Sequence, residues 1–487
     1  MKMKWLTPVL VLLAIFAFAT CAQAETKEWG EEINVPADKV WHIEFNTELK
    51  ASSVNPSTVI IKNENGERVP DLDISLMEDG KTVKVDSKVD YPVDTKYTLH
   101  ILDNIESRFG NKALKEKVEL TFHVSKEFQT VTLNGLDDWE LGTSYDTLRE
   151  GVQNAQNGQV IIKNGSVLWA PEGSQLATDA FTVFYNDASL TSQSTYVSGQ
   201  TELDYVRSHN EAIEAEIAGR TVFVKPEDVT FIPEAYQKGE SYYKNAGGTL
   251  QHTIYRPLSE SYATYSYGKA PASMDEGETV TSWDGRTFNG EEAKFFNHMD
   301  LRRQSHYTGE MLDEYISSRV PDSPLIGHGD AFVKVGEEYG INALYLMAHA
   351  IHESAWGKSR IAQDKNNLFG IDAHDGNAYE AAMEYESFEA SIRYLVEEKL
   401  TKQYLVEDGS YFNGYTLGNK STGMNVKYAS DPYWGQKIAG HMYMADQHLG
   451  GYDQKLLEDE DYVAEKFEEE SDDENNGDQP ADEGKAE

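Results

Sequence analysis

The hydrophobic period of this chain changes once, and that change restricts it to two kinds of architecture joined end to end. From residue 25 to about 125, apolar and polar residues alternate in short runs such as KVWHIEF, KTVKVD, YTLHIL and VELTFHV, broken by turn chemistry at NENGE, EDGK and RFGN; from there to about 267 the pattern is less regular, a helical stretch YDTLREGVQNAQ preceding strands such as QVIIKN and FTVFYN. A repeat of two turns one face of each run inward, which predicts antiparallel strands. From about residue 285, in MLDEYISSR, GDAFVKVGEEYG, INALYLMAHAIHES and EASIRYLVEEKL, apolar residues recur at three and four with Gly or Pro between segments. That spacing predicts amphipathic helices. The expected fold class is therefore multidomain: an N-terminal β-sandwich over 25–125, a small β-rich accessory region over 126–267, a turn-rich linker over 268–284 and a mainly α domain over 285–455.

The ends carry different signals. Residues 1–24 combine a Lys-rich start, an apolar run from Leu6 to Thr20 and Ala22-Gln23-Ala24, the order of a secretory leader with a small-residue cleavage site. The run is short for a membrane span, so no span is expected once it is removed. The single cysteine, Cys21, lies inside it; the exported chain is expected to fold without disulfides, lipidation of Cys21 being the competing reading. Residues 456–487 are expected to be an acidic, disordered tail, because from Glu458 onward 15 Asp/Glu and 2 Lys leave almost nothing apolar to bury. The whole chain has a formal charge of −40. A polyanion of that size offers no bulk surface for neutralising phosphates, which argues against nucleic acid.

Two resemblances concern the β half. Phe45, the run SSVNPSTVII, the turn Asp79-Gly80-Lys81-Thr82-Val83, Tyr97-Thr98-Leu99 and Phe109-Gly110-Asn111 together resemble the Ig-like module of bacterial S-layer and wall proteins. These are turn and core positions, so the resemblance implies a fold and, for function, a spacer. IAGRTVFVKPEDVTFIP resembles the closing strands of bacterial SH3-like wall modules. Tyr236, Tyr242, Tyr243, Tyr255, Tyr262, Tyr265 and Tyr267 follow; such a stripe serves either as half-buried core or as stacking surface for sugars.

The chemistry concentrates in MAHAIHESAWGKSRIAQDKNNLFG, residues 347–370. On a helix His349 and Glu353 share a face one turn apart. A metal reading meets the wrong order: metalloprotease helices carry H-E-x-x-H, whereas here His349 and His352 are three apart with the carboxylate outside them. No metal ligand set is expected. A glutamate ending an apolar helix and walled by Trp356 and Phe369 is expected to sit where desolvation raises its pKa. Glycosidic hydrolysis needs such an acid at the leaving oxygen.

Glu353-Ser354-Ala355-Trp356-Gly357-Lys358-Ser359, Ala362 and Asn366-Asn367-Leu368-Phe369-Gly370-Ile371, with GMNVKYASDPYWGQKI from Gly423 onward, resemble the signature of the bacterial peptidoglycan endo-β-N-acetylglucosaminidases, autolysins with a lysozyme-like core. The resemblance implies a secreted or wall-associated hydrolase that cleaves the β-1,4 bond after N-acetylglucosamine in peptidoglycan glycan strands, without cofactor. It places Glu353 as general acid. For a second carboxylate on the loop DAHDGNAYEAAMEYE, Glu380 is preferred, with Glu384, Asp372 and Asp375 competing; alternatively the substrate's own acetamido oxygen attacks and Tyr428 orients it. Trp356, Asn367, Phe369, Glu384, Tyr433 and Trp434 are the candidate substrate contacts, with a turn-bracing role competing for Asn367 and a core role for Tyr433 and Trp434. Asp431 before Pro432 reads as a turn residue. A muramidase, a lytic transglycosylase or a silent wall-binding protein are the remaining readings.

Overall fold

The computed structural model describes residues 10–12, 26–110, 112–136, 138–373 and 377–458. The expected leader with Cys21, except the strand 10–12, lies outside them, as do His374, Asp375 and the acidic stretch 459–487. Among the described residues no helix is long and apolar enough to cross a membrane.

The N-terminal module is a two-sheet sandwich. One sheet takes strands Thr26–Val35, Lys117–Val124, Thr95–Ile101 and Val59–Asn63 in that order; the other pairs Trp41–Phe45 with Thr82–Ser87 and that strand with Leu72–Leu76. Strict alternation in Lys117–Val124, with every second residue buried, sends Val118, Leu120, Phe122 and Val124 between the sheets. There Phe122 meets Trp41 at 4.8 Å and stacks on Tyr97 at 5.3 Å.

The accessory region forms a second core. A four-stranded sheet built on Phe128–Leu133, with helix α1 (Leu148–Asn154) beside it, shares one hydrophobic cluster with a seven-stranded sheet. The outer edge of the larger sheet is the strand Gln193–Val197, which pairs with Thr182–Tyr185.

A fifth sheet, with strands Ser261–Lys269, Thr249–Arg256, Tyr242–Ala246 and Thr279–Val280 in order, belongs to the helical core instead. This corrects the expected linker. Residues 268–284 contain the sheet's edge strand and the buried Met274, and Val280 pairs with Tyr243. The tyrosine stripe divides accordingly: Tyr243, Tyr255 and Tyr267 are buried, while Tyr262 is half exposed.

The helical domain comprises α2 (Gly309–Arg319), α3 (Gly329–Tyr339), α4 (Ala343–Ser354), α5 (Arg360–Lys365), α6 (Ala378–Ala381), α7 (Phe388–Tyr394) running into a π-helical stretch to Tyr404, α8 (Trp434–His448) and α9 (Tyr452–Glu458). Caps set its helix starts: Thr308, Asn342, Ser359 and Ser387 each accept a backbone N–H from the first turn. Helix α4 is buried from Ala343 to Ile351 and forms the axis of the domain. Helix α8 lies across both α4 and the strand Ser261–Lys269. Gly440 permits that approach, since a Cβ there would sit 1.8 Å from the Ser266 carbonyl. Helix α9 ends at Glu458 and buries Leu456 and Leu457, so ordered packing runs slightly past 455.

Candidate active site

The site is built where the end of α4 meets the start of α8. Asn342 fixes the beginning of α4, its Oδ1 accepting the Tyr345 N–H at 2.8 Å. Twelve residues on, the helix closes with three consecutive left-handed residues, Ala355 (φ 50°), Trp356 (φ 63°) and Gly357 (φ 76°). Left-handed backbone costs Ala and Trp roughly 1–2 kcal/mol each, which tertiary contacts must offset. Ser354 does part of that: its Oγ donates to Ala350 O and accepts the Gly357 N–H at 2.7 Å, while Ser323 Oγ holds Trp356 O at 2.8 Å. Gly357 has no alternative, because a Cβ would meet Leu325 Cγ at 3.1 Å on top of the positive φ.

Glu353, in the last turn of α4, keeps about a quarter of its side chain exposed. Trp434, the first residue of α8 and 2% exposed, donates its indole N–H to Glu353 Oε1 at 2.7 Å. His349 Nε2 lies 3.7 Å from the same oxygen. That approach is not an ion pair: burial drives the His349 pKa down to about 3, so the ring is neutral. Its Nδ1 is 3.1 Å from the Tyr345 hydroxyl, and Phe369, Tyr428 and Trp434 present themselves edge-to-face around it at 5.0–5.3 Å. Tyr428 in turn stacks on Trp434 at 4.5 Å. Such a cage suits a fixed neutral imidazole better than a metal ligand.

Desolvation raises the Glu353 pKa; the indole bond opposes this, and the negative charge of Asp431 adds to it. Asp431 is held by the loop it caps. Its Oδ1 accepts the Tyr433 N–H at 2.9 Å and its Oδ2 pairs with Lys437. Loop 419–431 is braced from inside by Lys420, fully buried, whose ammonium donates to Asn425 O at 2.8 Å and to Ala429 O. From outside it is held by the accessory sheet: Thr195 Oγ1 donates to Val426 O at 2.7 Å, Tyr196 OH to Lys427 O at 2.8 Å and Ser198 N to Ser430 O at 2.8 Å.

Of the residues expected from sequence, Glu353, Trp434, Tyr428 and Phe369 converge on this cluster. Trp434 is a hydrogen-bond donor rather than a sugar platform, since its ring is buried. Asn367 braces instead of touching substrate: Nδ2 donates to Ile371 O and Met383 O, and Oδ1 accepts from Phe369 N and Ile371 N. Trp356 packs between Tyr315 and His441, each about 6.0 Å away, rather than against Glu353. Tyr433 turns towards the fifth sheet, edge-to-face on His252 at 4.7 Å. Glu380 and Glu384 are solvent-exposed on and beside α6. The groups missed from sequence are the indole N–H of Trp434 and the charge of Asp431. Both act across a separation of about 80 residues, which no local pattern encodes.

Comparison with known proteins bears on the same residues. Residues 329–447 match the glucosaminidase family model, described as mannosyl-glycoprotein endo-beta-N-acetylglucosaminidase, and residues 30–124 match a bacterial Ig-like domain. A Streptococcus pneumoniae protein, named for a provisional endo-beta-N-acetylglucosaminidase activity, is 34% identical over 291 residues, covering 57% of this chain and 40% of its own length. A beta-N-acetylglucosaminidase of Bacillus subtilis is 26% identical over 204 residues, or 39% of this chain and 23% of the relative. The chain thus spans less than half the length of either relative. The crystal structure of Staphylococcus aureus autolysin E is 21% identical, covers 36% of this chain and 83% of that one, and gives a TM-score of 0.26.

Proposed function

We infer that a chain carrying a glucosaminidase domain behind a bacterial Ig-like domain is a glycoside hydrolase of the bacterial wall, exported through its leader-like N-terminus and cleaving the β-1,4 bond after N-acetylglucosamine in peptidoglycan glycan strands. The observation that carries this reading is Glu353, a carboxyl whose pKa burial raises and whose Oε1 is fixed by an indole N–H, so that Oε2 is left to hold the proton.

The chemistry proceeds from that proton. Glu353 delivers it to the glycosidic oxygen as the C1–O bond breaks, and the leaving sugar departs as an alcohol. For the group that meets C1, the substrate's acetamido oxygen is favoured over Glu380. Tyr428 lies within the electrostatic reach of Glu353 and stacks on Trp434, whose indole holds that carboxyl, whereas Glu380 is solvent-exposed. The oxazolinium ring so formed is opened by water, whose proton returns to the Glu353 carboxylate.

The test is to digest purified peptidoglycan with the full chain, reduce the new ends with borohydride and identify the reduced sugar. Glucosaminitol is expected, and E353Q should abolish it while retaining strand binding. Muramitol, anhydromuramic ends or no new ends would each replace the reading, by a muramidase, a transglycosylase or a wall-binding protein respectively.

A further inference from the structure

A cleft of about 1390 Å³ opens on the accessory region, lined by α1, the turn 170–174 and the strand Glu202–Ser208. None of the residues that converge on Glu353 lines it. It exceeds the roughly 300–1,000 Å³ of a small-molecule pocket and so suits a length of polymer.

One wall of the cleft is a strand edge. From Asp204 to Ser208 the strand pairs on one side with Ile213–Ile217, but on the other side Gln175–Thr178 pairs only with Glu202 and Leu203. Beyond Leu203 that second side has no hydrogen-bonded strand among the described residues. At the far end Ser208 Oγ donates to Leu168 O at 2.5 Å, so the open length runs from Asp204 to Arg207. A bulge between Tyr205 and Arg207 leaves Val206 without an opposite residue, and Val206 is 44% exposed in the cleft. An open edge offers backbone N–H and C=O groups at the spacing of an extended peptide, a match that a sugar chain lacks.

The charge of the lining selects among peptides. Glu172, Asp204 and Glu240 line the cleft and form no ion pair among the described residues. Glu202, 4% exposed, accepts from Gln175 Nε2 at 3.2 Å and from Ser241 N at 3.1 Å, and it too lacks a cation. Burial raises the carboxyl pKa of Glu202 and Asp204, the consequence of desolvating charge without a counter-ion. Against these acids stand Arg149, and Arg207 already held by Glu214 at 2.7 Å. Trp283, 40% exposed, and Trp169 line the same space. Indole faces and carboxylates together recognise ammonium groups.

We propose that this cleft binds an extended peptide with a free ammonium group, the amine-bearing peptide branch of the wall polymer, as an added strand along Asp204–Arg207 with its ammonium among Glu172, Asp204 and Glu240. The proposal rests on the wall-hydrolase reading above and adds a hold on the peptide, separate from the cut in the sugar strand. A protein of charge −40 thereby engages the wall through the wall's own cations.

The experiment is calorimetry with full-length E353Q on three probes: peptide-bearing glycan strands, the same strands with their amines acetylated, and strands freed of peptide. Acetylation should weaken binding about threefold to tenfold, the loss of one partly desolvated ammonium contact, and strands freed of peptide should bind no better than acetylated ones. Added to E353Q, the exposed pair E172Q/E240Q, and separately D204N, should bring the effect of acetylation close to onefold. No effect of acetylation in E353Q, or an undiminished effect in both variants, would overturn the site. Tighter binding of peptide-free strands would assign the cleft to glycan and overturn it as well. Failure of the hydrolase reading shows separately, as no reducing ends released by the unaltered chain, and the acetylation ratio then still decides the peptide site.

Discussion

Replacing Trp434 by Phe removes one hydrogen bond from Glu353 and leaves an aromatic ring to stack on Tyr428. The indole N–H lies 2.7 Å from Oε1 and favours the ionised carboxylate. A hydrogen bond to a charged acceptor contributes about 1.5–3 kcal/mol, and one to the neutral acid about 1 kcal/mol. The difference, roughly 1–2 kcal/mol, is what stabilises the carboxylate over the acid. At 1.36 kcal/mol per unit, its loss should raise the Glu353 pKa by about 0.5–1.5 units. Since Glu353 must be protonated to act as acid, its ionisation sets the alkaline limb of kcat/KM, and in W434F that limb should move to higher pH even as the maximum rate falls. The assay is release of reducing ends from peptide-free glycan strands across pH 4 to 10. An alkaline limb that stays in place or moves down would refute the assignment of the indole as the group opposing desolvation.

The opposite shift is expected in D431N, where a negative charge that raises the Glu353 pKa is removed while an acceptor for the Tyr433 N–H remains; its alkaline limb should move to lower pH, and a shift in the same direction as W434F would contradict the electrostatic account. G357A combines a positive φ with a Cβ 3.1 Å from Leu325 and should destabilise the helical domain by about 1–3 kcal/mol, read as a lower denaturation midpoint at unchanged slope. Asp453 is fully buried and its pKa is raised from 3.8 to about 6, by desolvation above all. A raised carboxyl contributes stability that is complete below about pH 4 and lost as pH rises through about 6, amounting to about 3 kcal/mol at most. The thermal midpoint of the helical signal should therefore fall from pH 4 to pH 7 more steeply in the unaltered chain than in D453N, and parallel slopes would show that Asp453 does not titrate there.

The parts of the architecture that depend on local periodicity were open to sequence reading. The strand Lys117–Val124 and the helix Ala343–Ser354 announce themselves by their spacing, and Glu353 by the motif that follows it. The fifth sheet was not, because its alternating tyrosines are compatible with either a free-standing module or a face packed on a helix. What decides is Gly440, a small residue 174 positions away from the Ser266 carbonyl it accommodates. The same holds at the site. Asn367 follows turn chemistry and braces a turn, but whether Trp434 stacks on sugar or donates to Glu353 depends on how α8 crosses α4.

The three hydrogen bonds from the strand Gln193–Val197 and Ser198 to residues 426–430 also fix an order of assembly. Thr195 and Val426 are 231 residues apart, so the loop beside Glu353 is synthesised long after the sheet that receives it. A chain folding from its N-terminus presents that edge as a finished template, and the loop closes against it at the end of synthesis. Any fragment begun after the accessory sheet can still form α4 and α8, but leaves the carbonyls of Val426, Lys427 and Ser430 to water. The shape of the loop beside Glu353 is thereby tied to contacts made far upstream in the chain.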